Sequence, residues 1–250
     1  LMKLDKVQIS QFRNIDDLSL TAHNSLNVFL GENGSGKSSI LEALHYLGFA
    51  RSFRTQKHKN VISHSKLAFT VFCSTTVENG HQQKFGISRH VDDTCTVNIN
   101  GQKSKRATDL ASYLPIQIFT PQSSELLLGA PKLRRRYLDW LLFHVEQSFN
   151  LDFQIYNKSL KHLNALYKTS HTDEGLSYWN NMLCEKGEAI SDIRSRLLNE
   201  HLIQLIKANL KEFLPEFSFE ISYYRGWEKD INLSDAILKN RFRAQKNGFL

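Results

Sequence analysis

Eight consecutive residues, Gly31-Glu32-Asn33-Gly34-Ser35-Gly36-Lys37-Ser38, carry the spacing G-x-x-x-x-G-K-[ST]. The chemistry this spacing suits is the cradling of phosphate. The template glycines permit a tight loop, so successive backbone N–H groups converge on phosphate oxygens. Lys37 is suited to bridge the β- and γ-phosphates as a point charge. Ser38 offers a hydroxyl to Mg²⁺. The expected ligand is a nucleoside triphosphate, ATP with magnesium. The expected site comprises Gly31, Glu32, Asn33, Gly34, Ser35, Gly36, Lys37 and Ser38, with Ser39 beside them.

A phosphate loop must follow a strand and open a helix. Asn27–Leu30 is a short apolar run suited to the strand, and Ile40, Leu41, Leu44 and Leu47 give the helical stripe. At average composition the fixed positions match by accident in roughly one chain of this length in a hundred. With both flanks present, the phosphate-binding reading outweighs chance. Hydrolysis would need an acidic residue at the end of a second buried strand. The chain's run of four large apolar residues, Trp140–Phe143, precedes His144 and lies in a helical pattern. No Leu-Ser-x-Gly sequence occurs either. These absences point to nucleotide binding without hydrolysis, or to an incomplete chain.

The elements around the loop fall into two patterns. Val7/Ile9 and Leu18/Leu20 alternate with polar residues. Leu67, Phe69, Val71, Cys73, Thr75 and Val77 keep period 2, and Phe85 and Ile87 continue it. Val97 and Ile99 lead into Asn100-Gly101, which suits a type I′ hairpin. Ile116 and Ile118 read as one more short strand. From Pro131 the pattern is helical, with Pro131 suited to the first helical position. Phe149, Phe153, Tyr156, Leu160, Leu163 and Tyr167 form one seam. Leu176, Trp179, Leu183, Ile190, Ile193 and Leu197 form a second. Joined by a tight connection at His171–Gly175, the two helices are expected to pack antiparallel. Phe217, Phe219, Ile221 and Tyr223 alternate again, and a short helix from Leu233 to about Phe242 follows.

The 250 residues are 41% hydrophobic and 23% charged, as in a soluble globular protein. The net charge of +7 leaves an anionic partner open. Cys73, Cys95 and Cys184 have no metal-ligand spacing and read as idle thiols of a reducing compartment. No apolar stretch approaches the roughly 20 residues that span a bilayer. The protein is expected to be cytoplasmic, without a membrane partner. Leu1 precedes Met2, where the natural chain is expected to start.

The order strand, Phe12-Arg13-Asn14, strand, GENGSGKSS and Ile40-Leu41-Glu42-Ala43-Leu44 resembles the ATPase heads of the SMC and Rad50 group, within the ABC class. Arg51-Ser52-Phe53-Arg54, then Ala130-Pro131-Lys132-Leu133-Arg134-Arg135-Arg136-Tyr137-Leu138-Asp139-Trp140, narrow it. So do Phe213–Ser218 and Arg225-Gly226-Trp227-Glu228-Lys229. Together they resemble the RecF family of bacterial DNA replication and repair proteins, from about Met2 to Leu250. The resemblance implies an α/β P-loop ABC-type ATPase head without a long coiled coil. Its mixed-sheet lobe with the P-loop would cover residues 1–122, and a mainly helical lobe with the antiparallel helix pair residues 123–250. It also implies a homodimer with ATP sandwiched between heads. The other implied partners are single-stranded or junction DNA and RecO- and RecR-type mediators. The role would be helping load the RecA recombinase at gaps, in gap repair and the SOS response. The family's signature segment and acidic strand follow the region where this chain stops. The chain is therefore expected to be truncated, lacking the return to the ATPase lobe, with weak DNA-dependent hydrolysis only in a full-length dimer. Arg13 and Asn14 match the family's Phe-Arg-Asn position and are nucleotide-site candidates, with a plain strand-end turn as the alternative. Gln122 lies near the family's magnesium-sensing glutamine, with an exposed turn as the alternative.

Four basic clusters are candidates for DNA backbone contact: Arg51/Arg54/Lys57/Lys59, Lys103/Lys105/Arg106, Lys132/Arg134/Arg135/Arg136 and Lys239/Arg241/Arg243/Lys246. Solvated faces are the alternative for each. Arg134–Arg136 fan around a helix, so at least one is expected to pair within the protein. A P-loop small-molecule or nucleotide kinase is the competing function. A protein-interaction module that keeps ATP as a structural ligand is a third.

Overall fold

Strand β1 (Met2–Phe12) alternates so that Val7 and Ile9 point to one face; Gln11, at φ 56°, breaks the alternation, and Phe12 is buried in the same core. The strand pairs antiparallel with β2 (Ile15–Thr21) on one side and with β3 (Ala68–Val77) on the other. β3 continues into β4 (Gln82–His90), β5 (Cys95–Ile99) and β6 (Gln102–Ser104). The order is β2-β1-β3-β4-β5-β6, antiparallel throughout. Register places Ile9 opposite Val71, Val71 opposite Ile87, and Ile87 opposite Val97. Since strand side chains alternate with period 2, these residues share one face, and they form one core. Asn100 (φ 51°) and Gly101 (φ 84°) both take positive φ, as the hairpin dipeptide requires.

That face is covered by helix α1 (Lys37–Phe49), through Ala43, Tyr46 and Leu47. The short helix α2 (Asp109–Tyr113) adds Leu110 to the same core. Phe12, Tyr46 and Phe69 meet edge-on, with centroids 4.9–6.2 Å apart. This geometry favours aromatic quadrupoles. Burial pushes the Cys73 thiol up to about 12, so it stays protonated and inert, and all three cysteines are free.

The structure, a computed structural model, describes residues 2–104, 106–107, 109–169 and 173–247. Two compact units divide the chain, Leu1–Ser123 and Ser124–Leu250. The second begins with α3 (Glu125–Leu128) and α4 (Pro131–Val145), with Pro131 in the first turn. α5 (Phe149–Thr169) and α6 (Asp173–Leu197) are the two seam-bearing helices. Tyr156 approaches Gly187 and Leu166 approaches Gly175, which fixes the pair as antiparallel. A π-helical turn, Leu198–Leu202, leads into α7 (Ile203–Phe213), and α8 (Leu233–Lys239) and α9 (Arg241–Asn247) close the unit. The helix expected from Leu233 to Phe242 is thus two helices, broken at Asn240. The His171–Gly175 connection lies partly outside the described residues, as does Lys105. No helix among the described residues is long and apolar enough to cross a membrane.

The expected mixed sheet is corrected to an antiparallel one. Asn27–Leu30, Ile116–Phe119 and Phe217–Tyr223 have strand-like sequences but join no ladder among the described residues. A strand exists only where an edge accepts its backbone groups, and alternation cannot supply that edge. Val28 and Leu30 are correspondingly 66% and 89% exposed, and Phe119 is 83% exposed.

Gly187 is where α5, α6 and α8 crowd together. A Cβ there would lie 2.5 Å from Leu233 Cδ2 and 3.2 Å from Tyr156 Cε2. Gly187→Leu is predicted to lower stability by about 1–2 kcal/mol, overpacking outweighing the gain in helix propensity. Urea unfolding checks this, and an unchanged midpoint would contradict so close an approach.

Candidate phosphate-binding site

The P-loop is built from the backbone up. Gly34 (φ 87°) and Gly36 (φ 98°) take left-handed conformations that favour glycine. Gly36 is the N-cap of α1, and no side chain caps it. The first amides of α1 therefore keep free donor capacity at the helix end where the dipole favours anions. Lys37 Nζ donates to the Gly31 and Glu32 carbonyl oxygens, at 2.7 Å each, which closes the loop on itself. Ser35 N–H donates to Glu32 O at 3.2 Å. Ser38 is exposed, whereas Ser39 is buried.

The turn between β1 and β2 reaches under this loop. Asn14 Nδ2 donates to Gly34 O at 2.8 Å, and Ser39 Oγ donates to Asn14 Oδ1 at 2.9 Å. Arg13 (φ 56°) is anchored beside it. Its backbone N–H donates to Val61 O at 2.7 Å, and its Nη1 to Asn60 O at 2.5 Å. Its Nε and Nη2 grip the two oxygens of Glu42, at 3.1 and 2.7 Å. Glu42 is fully buried on α1. It also accepts from Ser52 Oγ and, at 3.5 Å, from Arg54 Nη1.

These elements enclose a cleft of about 570 Å³. Its lining includes Arg13, Asn14, Asn33–Ser39 and Arg54, with Asn60 and Ile62 at one side. Arg13, Lys37 and Arg54 are cationic, and no carboxylate is among the lining residues. The cleft's lining therefore suits an anion. A magnesium ion fits it in one way: Ser38 supplies a hard oxygen, and the remaining ligands would be phosphate oxygens and water. No cluster of His, Cys, Asp or Glu able to hold a metal by itself exists among the described residues.

The structure thus brings Arg13, Asn14 and the residues from Asn33 to Ser39 to one cleft. Gly31 and Glu32 close the loop through their carbonyls rather than lining it. Gln122 stands apart, exposed in the turn Pro121–Ser124, which Ser123 Oγ ties back to Thr120 N–H. Sequence reasoning missed Asn60, Ser52 and the role of Glu42, and it grouped Arg54 with a surface charge cluster. A signal for Glu42 was present: it occupies the buried stripe Ser39-Glu42-Ala43-Tyr46, where a carboxylate demands a cation.

Residues 3–234 match the RecF/RecN/SMC N terminal domain, so the chain belongs to that class of ABC-type ATPase heads. The DNA replication and repair protein RecF of Pseudoalteromonas atlantica is 51% identical over 252 residues, covering 100% of this chain and 69% of that relative. RecF of Psychromonas ingrahamii is 36% identical over 249 residues, with 99% and 69% covered. Within the class, the chain is a member of the RecF family. A solved structure described as the recombination mediator protein RecF with ATP in the RecFOR pathway superposes with a TM-score of 0.86. It is 25% identical and covers 100% of this chain and 70% of that one. A second, described with ATPrS, gives 0.89, also at 25% identity, with 99% and 70% covered.

Arg13→Met would leave the buried Glu42 carboxylate without its bidentate partner. We expect a stability loss of about 3–5 kcal/mol, read by urea unfolding. A loss below about 1 kcal/mol would mean that Ser52 and Arg54 satisfy Glu42 by themselves.

Proposed function

We propose that this chain is the ATP-binding head of a DNA replication and repair protein that acts on gapped or single-stranded DNA. The observation that carries this is the cationic cleft around a P-loop whose helix N-terminus is uncapped. The amides of Gly34–Ser39 and Lys37 would hold the phosphates of ATP, and the Ser38 hydroxyl would be one ligand of a magnesium ion bound with it. The relatives described with ATP support this ligand for the present chain. Family membership weighs against the kinase alternative, and no carboxylate is among the residues lining the P-loop cleft.

Hydrolysis needs a carboxylate to position water. None lines the cleft, and Glu42 is occupied by Arg13 and Ser52 behind it. We place that group outside these 250 residues, since the curated relatives extend over roughly a third more of their own length. The same additional segment would cover the exposed apolar side chains of Val28, Leu30 and Phe119. On this reading the whole protein dimerises with ATP between heads and hydrolyses it slowly when DNA is bound. Gln122 is retained as a magnesium-sensing candidate for that assembled state. RecO- and RecR-type mediators are the expected partners, and RecA loading at gaps, within the SOS response, the expected outcome in a cytoplasmic setting.

DNA contact is assigned to backbone phosphates. Arg134 is removed from the candidates, because its Nη1 donates to the carbonyls of Leu126, Leu127 and Gly129 at 3.0–3.2 Å. Lys132, Arg135 and Arg136 remain exposed, as do Arg51, Lys57 and Lys59, and Arg243 and Lys246. The side chain of Arg241 lies outside the described residues.

Two measurements test the proposal. Lys37→Ala should lose at least about tenfold in ATP affinity by calorimetry, with the fold kept; equal affinity would place the phosphates elsewhere. DNA affinity should fall at least about tenfold between 50 and 200 mM salt, for any base sequence. Salt-insensitive or sequence-selective binding would contradict backbone contact.

A further inference from the structure

Glu42 lies one helical turn beyond Ser38, on the helix whose N-terminus forms the cradle, yet it does not line the cleft. Its carboxylate is fully buried and engages four donor atoms: Arg13 Nε and Nη2, Ser52 Oγ and Arg54 Nη1. A buried ion pair is seldom the most stable filling for a core, and apolar residues of similar volume commonly do as well or better. The geometry offers another use. Arg13 sits at φ 56°, a backbone conformation an arginine must be held in. The next residue, Asn14, spends both ends of its amide on the P-loop and its helix, through Gly34 O and Ser39 Oγ. A Cβ on Gly36 would come within 3.4 Å of Asn14 Nδ2, so the amide also lies against the second glycine of the G-x-x-x-x-G spacing. The contacts close a ring: Glu42 to Arg13, Arg13 to Asn14, Asn14 to Gly34 and Ser39, and Ser39 back along α1 to Glu42.

We propose that Glu42 is a positioning residue of the nucleotide site, acting through the Arg13–Asn14 turn to fix the backbone of Gly34–Ser39 without touching the ligand. The proposal rests on the nucleotide reading given above. It states that the carboxylate is needed for loop geometry beyond its effect on stability. Replacing both ion-pair partners by apolar residues should therefore restore a stable core but not the site.

The test compares the parent chain, Glu42→Gln, Asn14→Ala, the Glu42→Gln/Asn14→Ala pair and Arg13→Met/Glu42→Met. Each is read by thermal midpoint, ATP titration calorimetry and amide hydrogen exchange. Glu42→Gln should bind ATP at least about tenfold more weakly, and adding Asn14→Ala should weaken it little further, because the two act in series. Arg13→Met/Glu42→Met should regain most of the midpoint while still binding at least about tenfold more weakly. This pair keeps the test valid if Glu42→Gln fails to fold. Affinity within twofold of the parent for Glu42→Gln, full additivity with Asn14→Ala, or recovery of affinity together with the midpoint would each overturn the proposal. If the parent itself binds no ATP, the nucleotide reading fails, and Glu42 is judged on exchange alone. Faster exchange at Gly34–Ser39 in Arg13→Met/Glu42→Met, at a parent-like midpoint, then supports it, and parent-like exchange refutes it.

Discussion

The grip of Arg13 on Glu42 ties three otherwise separate pieces of chain together. Arg13 belongs to the turn between β1 and β2, Glu42 to α1, and the carbonyls of Asn60 and Val61 to the segment returning toward β3. The sheet and the helix pack through apolar contacts, which are strong but indifferent to small sliding. A bidentate guanidinium–carboxylate pair is directional, and with Glu42 fully buried and the Arg13 side chain 21% exposed it tolerates little displacement. It therefore sets the register of α1 against the sheet edge where the P-loop must sit. Ser52 extends the arrangement, since its hydroxyl donates to Glu42 and accepts from the amides of Arg54 and Thr55.

Much of this was legible in the sequence where one residue type can do one thing. Gly34 and Gly36 occupy positive φ, Asn100-Gly101 turns the hairpin, and Pro131 opens α4, each by a local steric rule. Period 2 in β3 and β4, and the two seams of α5 and α6, identified the core faces because burial repeats with the element's own geometry. Phe149, Leu163, Tyr167, Leu176, Leu183 and Ile190 are all buried as that pattern requires.

What was not legible depended on partners distant in sequence. The strand-like runs at 27–30, 116–119 and 217–223 alternate well, yet alternation says only what a strand would look like if an edge received it. Arg54 looked like one more surface cation, and only the fold shows that it leans on a buried carboxylate 12 residues earlier. Arg134 was one of three adjacent arginines with no sequence mark distinguishing it. Its role as a cap for carbonyls of Leu126 and Leu127 in α3 and of Gly129 just after it follows from where that short helix ends.

The state of Lys37 shows how the cleft is prepared for an anion. Its ammonium is held by two neutral carbonyls, Gly31 O and Glu32 O, with no acid within the cleft to neutralise it. Carbonyls satisfy the ammonium's hydrogens but not its charge. A phosphate oxygen offers a charge-assisted bond about twice as strong as a neutral one. On the proposed reading, exchange of partners by Lys37 would favour the bound state while moving little more than one side chain. The loop backbone would then stay where Asn14 holds it, with its amides already placed for an anion. A carboxylate facing this cleft would compete for Lys37 and weaken that preference. The burial of Glu42 behind Arg13 keeps that acid out of the competition while using its charge to hold the frame.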